Sequence, residues 1–114
     1  MKVVLIGATG LVGSKLLELL LNDSLVTEIT TISRKKILKE SNKLNQIIFP
    51  HLGTEALSNL NLDADSFICC LGTTLKAAES KEEFKRIDLD LVCSFATLAQ
   101  SSMTKSLHII SSKG

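Results

Sequence analysis

Val3-Val4-Leu5-Ile6-Gly7-Ala8-Thr9-Gly10-Leu11-Val12-Gly13 follows directly after Met1 and Lys2. Four consecutive apolar residues ended by glycine read as a central parallel strand covered on both faces. Leu11 to Leu21 then places Val12, Leu16, Leu17 and Leu20 on one helical face, and Asn22 with Asp23 stops the pattern. A buried strand has turned into an amphipathic helix through three glycines.

Each of these glycines has a separate task in that turn. Gly7 permits a tight bend, Gly10 lets the backbone approach a pyrophosphate with no Cβ in the way, and Gly13 allows close packing of helix on sheet. The phosphates would face the free N–H groups at the helix start. The spacing is GxxGxxG rather than GxGxxG, so its position after a strand and before a helix carries the reading, against that of a purely structural turn.

Further along, residues 26–32 are rich in Val, Ile and Thr and read as strand two. Arg34 to Asn45 is polar and reads as loop or frayed helix. Gln46 to Phe49, closed by Pro50, is strand three, and residues 54–60 form a short helix. Ser66 to Leu71, closed by Gly72, is strand four. Ser80 with Glu83 makes a capping box for a long helix whose Phe84, Ile87, Leu91, Phe95 and Leu98 share a face. Leu107 to Ile110 is strand five. The expected fold is α/β: a Rossmann-type doubly wound parallel sheet of order 3-2-1-4-5, a single domain over residues 1–114 that stops after strand five.

Composition limits the function classes. The 114 residues are 45% hydrophobic and 22% charged, near the globular average, with a formal net charge of +1. Four Phe with no Tyr or Trp argue against stacking on nucleic acid. The first apolar run is too short for a signal peptide or a membrane span. Cys69, Cys70 and Cys93 are odd in number and lack metal-type spacing, so reduced thiols and a cytoplasmic location are expected.

Where strand two ends, a carboxylate would bind the ribose 2′-hydroxyl of NAD. The residues here are Ser33, Arg34, Lys35 and Lys36. A guanidinium pairs with a 2′-phosphate in a planar fork and the next lysine adds charge, so NADP(H) is expected over NAD; a solvated basic loop is the alternative. Cys70-Leu71-Gly72-Thr73-Thr74 lies beside the point where strand order reverses, and is either a second cofactor contact or an ordinary strand-ending turn. His108, in strand five, and His51 read as structural. Asp88 and Asp90 fall on the long helix, with Asp88 beside its apolar stripe.

Together GATGLVG (7–13), ISRKK (32–36), CCLGTT (69–74), FKRIDLDLV (84–92) and HIISSKG (108–114) resemble the atypical short-chain dehydrogenase/reductases, in particular their Tat-interacting-protein-like oxidoreductase branch. The resemblance spans nearly the whole chain. It implies that Gly7, Thr9, Gly10, Leu11, Val12 and Gly13 cradle the pyrophosphate, Arg34 and Lys35 the 2′-phosphate, and Leu71, Gly72 and Thr73 the nicotinamide side. Ser111 or Ser112 would be the serine that orients a carbonyl or alcohol substrate. The family's YxxxK pair would supply the proton. Residues 1–114 contain no tyrosine, and Lys113 lies upstream of where that pair belongs. The expectation is therefore the truncated NADP(H)-binding portion of an oxidoreductase, inactive by itself and self-associating. A non-catalytic NADP(H)-binding redox sensor or protein-interaction module is the alternative.

Overall fold

A computed structural model describes residues 1–70, 90–102 and 106–110 with their side chains, and residues 81–89 by their backbone. The chain runs β1 (Lys2–Ile6), α1 (Leu11–Leu21), β2 (Glu28–Ser33), β3 (Leu44–Ile48), α2 (Thr54–Ser58), β4 (Ser66–Cys69), α3 (Lys81–Ser101) and β5 (Ser106–Ile109). The strands form one sheet of order β3-β2-β1-β4-β5, parallel throughout. This is the expected doubly wound Rossmann topology. The capping box at Ser80 and Glu83, and the Phe84 and Ile87 side chains, lie outside the described residues.

Period-two alternation along each strand divides the core between two faces. Val3, Leu5, Ile29 and Ile68 pack with Leu17 of α1 on one side. Val4, Ile6, Ile32, Phe67 and Cys69 pack with Leu57 of α2 and with Leu91, Phe95 and Leu98 of α3 on the other. Because β1 is covered twice, it is apolar at every position from Val3 to Ile6. The Phe67 and Phe95 rings meet at 5.6 Å between centroids and 55° between planes, a tilted pair that fixes α3 against β4.

Several boundaries differ from expectation: α2 ends at Ser58, β4 at Cys69, and β5 runs Ser106–Ile109. The starts of strands two and three shift as well. Strand two begins at Glu28: Val26 is buried in a turn closed by its N–H on the Asp23 carbonyl. Strand three begins at Leu44, two residues early, because Leu44 and Asn45 pair in register with Ile29 and Thr30. The stretch between these strands contains no helix; it crosses the α1 face as an irregular connection.

Candidate dinucleotide-binding site

Parallel strands bring all their carboxyl ends to one edge of the sheet. Register pairs Ile6 with Ile32 on one side and with Cys69 on the other. The glycine turn, the Arg34–Lys36 loop and Cys70 therefore meet at that edge, with β1 and β4 flanking the reversal of strand order. Ligands of open α/β sheets bind in such a crevice.

Gly7 has φ 89°, in the left-handed region that side chains with a Cβ avoid. A Cβ on Gly13 would overlap the Gly7 carbonyl oxygen and lie 2.8 Å from its carbon, so glycine is required for α1 to sit against the turn. Gly10 differs. Its φ is −75°, and a Cβ there would meet only the Gly7 oxygen at 3.7 Å, an ordinary contact. Among the described residues nothing demands glycine at position 10. Gly10 is also the N-cap of α1, without a side-chain hydrogen bond, and the first turn holds no acidic residue. The positive end of the helix is left for an anion. Thr9, Gly10, Leu11 and Val12 are all exposed around it.

At the end of β2, the Ser33 side chain is buried and its hydroxyl donates to the Lys35 carbonyl at 2.7 Å. That bond folds the chain back and leaves Arg34, Lys35 and Lys36 in solvent beside the turn. Ile37 closes the loop. Its N–H donates to Gln46 Oε1 at 2.7 Å and its carbonyl accepts from Gln46 Nε2 at 3.0 Å. Reading the sequence by pattern takes Gln46 as the first residue of a strand and misses this pairing. The available signal was a polar side chain whose strand neighbours two residues away, Leu44 and Ile48, are apolar.

Cys70 is half-buried and hydrogen-bonds through its N–H to the Ile6 carbonyl at 2.9 Å. Burial first, and then the neighbouring Cys69 sulfur, push its thiol up from the ordinary value of 9.0. It stays a neutral thiol at the crevice wall. His108 is exposed on β5 and His51 is exposed after β3. Leu71, Gly72, Thr73, Thr74, Ser111, Ser112 and Lys113, and the Asp88 side chain, lie outside the described residues. Among the described residues there is no His, Cys, Asp and Glu cluster able to hold a metal.

Fold and sheet-edge geometry together define a Rossmann-type unit of the kind that holds a nicotinamide dinucleotide. The chain belongs to the family described as semialdehyde dehydrogenase, NAD binding domain, whose model matches residues 2–108. It is 32% identical to Protein HTATIP2 of Rattus norvegicus over 98% of its length and 47% of that protein. It is 39% identical to Protein fmp52, mitochondrial, of Emericella nidulans, over 98% of its length and 51% of that protein. The chain thus spans about half the length of these relatives. Among solved structures, the oxidoreductase ylbE from Lactococcus lactis superposes with a TM-score of 0.70 at 21% identity, covering 96% of this chain and 47% of that one. Uronate dehydrogenase from Agrobacterium tumefaciens gives 0.70 at 10% identity, covering 97% and 40%; both likenesses are of fold.

One expectation is overturned. The cytoplasmic assignment conflicts with the relatives named mitochondrial in Emericella nidulans, Meyerozyma guilliermondii and Candida albicans. Its physical basis was an odd number of cysteines without metal-type spacing, and reduced thiols suit any reducing compartment, so they could not tell one from another. No helix among the described residues is long and apolar enough to cross a membrane.

Proposed function

We propose that residues 1–114 are the NADP(H)-binding portion of a short-chain dehydrogenase/reductase-like oxidoreductase, with Arg34 and Lys35 receiving the adenosine 2′-phosphate. One observation carries the cofactor choice. β2 ends in a Ser33-closed turn that exposes three cations, Arg34, Lys35 and Lys36, beside the glycine turn, at the point where an NAD-specific site needs a carboxylate. A bidentate guanidinium–phosphate pair is stronger than a neutral hydrogen bond and is not available to NADH.

In this reading Gly7 and Gly13 shape the turn, Gly10 admits the pyrophosphate, and the first-turn N–H groups of Leu11, Val12 and Gly13 face it. Leu71, Gly72 and Thr73 take the nicotinamide side, and Ser111 or Ser112 orients a carbonyl or alcohol substrate. The bound dinucleotide supplies hydride chemistry; the chain's own residues bind and orient it. Reduction is assigned to the whole protein and not to these 114 residues, which span about half the length of the relatives. Self-association is part of the same reading, supported by exposed Leu19, Leu25, Leu38 and Ile109. Relative affinity for NADPH and NADH tests the cofactor assignment: NADPH binds at least about tenfold more tightly if it holds, and equal affinities contradict it.

A further inference from the structure

Gln46 lies on β3, directly across from Thr31 of β2, and so on the α1 face of the sheet. The irregular β2–β3 connection passes over that face. Ile37 tucks half-buried against the α1-side core alongside Leu16 and Leu44. Both polar ends of the Gln46 amide meet the Ile37 peptide, one accepting its N–H and the other donating to its carbonyl. The pairing also fixes which end of the amide is oxygen, because a backbone N–H can only donate.

A side-chain amide that copies both hydrogen bonds of a strand neighbour holds a loop as a ladder would. The neighbouring side chain is used differently: Asn45 Nδ2 donates in solvent to Glu28 Oε1 of β2 at 2.7 Å. The three cationic residues 34–36 are therefore strung between two anchors. Ser33 Oγ on the Lys35 carbonyl is the first, and Gln46 on Ile37 is the second. Between them the backbone has few conformations left. Arg and Lys side chains lose much rotamer freedom when they grip a ligand, so a backbone ordered beforehand reduces what remains to be lost on binding.

We infer that Gln46 is a positioning residue of the 2′-phosphate site: by gripping the Ile37 peptide it orders the Arg34–Lys36 loop and so sets the preference for a 2′-phosphorylated over an unphosphorylated adenine nucleotide. The inference rests on the NADP(H) reading above, and it adds a residue that makes no contact with the phosphate itself.

Two readouts on the 114-residue chain test it. Limited trypsin digestion followed by mass spectrometry measures initial cleavage after Arg34, Lys35 and Lys36 without any cofactor. Gln46→Met, which keeps side-chain length and removes both polar ends, raises that rate about tenfold, the scale expected on losing two hydrogen bonds that hold a loop closed. Gln46→Ala does the same, and Asn45→Ala leaves it unchanged. Isothermal titration with adenosine 2′,5′-bisphosphate and with 5′-AMP then gives the 2′-phosphate preference. In Gln46→Met that preference falls about threefold to tenfold through weaker bisphosphate binding, with 5′-AMP affinity retained.

An unchanged cleavage rate in both Gln46 variants overturns the grip. Faster cleavage with an unchanged preference overturns the specificity role and leaves the NADP(H) reading standing. A wild-type chain that binds 5′-AMP but shows no 2′-phosphate preference sinks the NADP(H) reading and the specificity role together, and the cleavage rates then still decide whether Gln46 holds the loop.

Discussion

Gly13 sits against the Gly7 carbonyl so closely that a Cβ on Gly13 would overlap that oxygen and come 3.0 Å from the Ala8 Cα. The neighbours are backbone and cannot rotate away. Gly13→Ala is therefore expected to destabilise the fold by about 1–3 kcal/mol, the scale of overpacking in a rigid surround. Gly10→Ala adds a methyl at ordinary contact distance with a permitted φ, so stability changes by no more than about 0.5 kcal/mol while dinucleotide affinity drops. Thermal denaturation of both variants, each titrated with cofactor, separates architecture from binding. Loss of stability in Gly10→Ala equal to that in Gly13→Ala would contradict the division.

The cysteines differ in reach. Cys93 is exposed on α3, Cys70 is half-buried at the crevice and Cys69 is buried in the core. With iodoacetamide near about pH 8, Cys93 reacts first, Cys70 at least about tenfold more slowly, and Cys69 only on unfolding. Mass spectrometry of a time course reads the order directly. The raised Cys70 thiol has a sign to check. Its folded pKa lies above the unfolded value, so its contribution to stability is complete below 9.0 and is lost as pH rises through and beyond it. Cys70→Ser should flatten that alkaline decline; an unchanged pH profile would remove Cys70 as its cause.

Much of this fold is legible without coordinates, for identifiable reasons. β1 and β4 are continuous apolar runs because helices cover both of their faces, and α1 and α3 keep Leu17, Leu91, Phe95 and Leu98 in register with the core. The connection from Arg34 to Lys43 is where pattern stops informing. Its order comes from Ser33, Gln46 and Ile37 contacts between residues up to nine positions apart. Strand three reads late because Asn45, a weak strand former, cuts the pattern off from Leu44; both are held in the strand by ladder partners on β2, and Asn45 also by its bond to Glu28. The glycine turn was readable, but the difference in role between Gly10 and Gly13 needed the measured space around each.

No nicotinamide-dependent reduction is expected from residues 1–114 alone, since they contain no tyrosine to serve as proton donor. General acid–base assistance is typically worth about 100- to 10,000-fold. The chain should bind cofactor without turning it over. Sustained NADPH oxidation with a carbonyl substrate, abolished by Ser111→Ala, would show that another group supplies the proton.

Exposed apolar side chains also bear on assembly. Leu25 is 74% exposed and Leu38 94% exposed, with Ile109 at 53% on the outer strand. Multi-angle light scattering at tens of micromolar, roughly the range where such surfaces associate, should show a dimer or larger species. A monodisperse monomer would count against self-association.

The 2′-phosphate contact at Arg34 is tested most directly by titrating the wild type and Arg34→Asp with NADPH and NADH, circular dichroism having verified that both are folded. Replacement removes a charge-assisted bond worth about 1.5–3 kcal/mol and sets a repulsive carboxylate beside the same oxygens. NADPH affinity should fall at least about tenfold with NADH affinity nearly unchanged, shrinking or inverting the preference. Equal losses for the two cofactors would make Arg34–Lys36 a solvated loop, and an unchanged NADPH affinity would contradict the assignment outright.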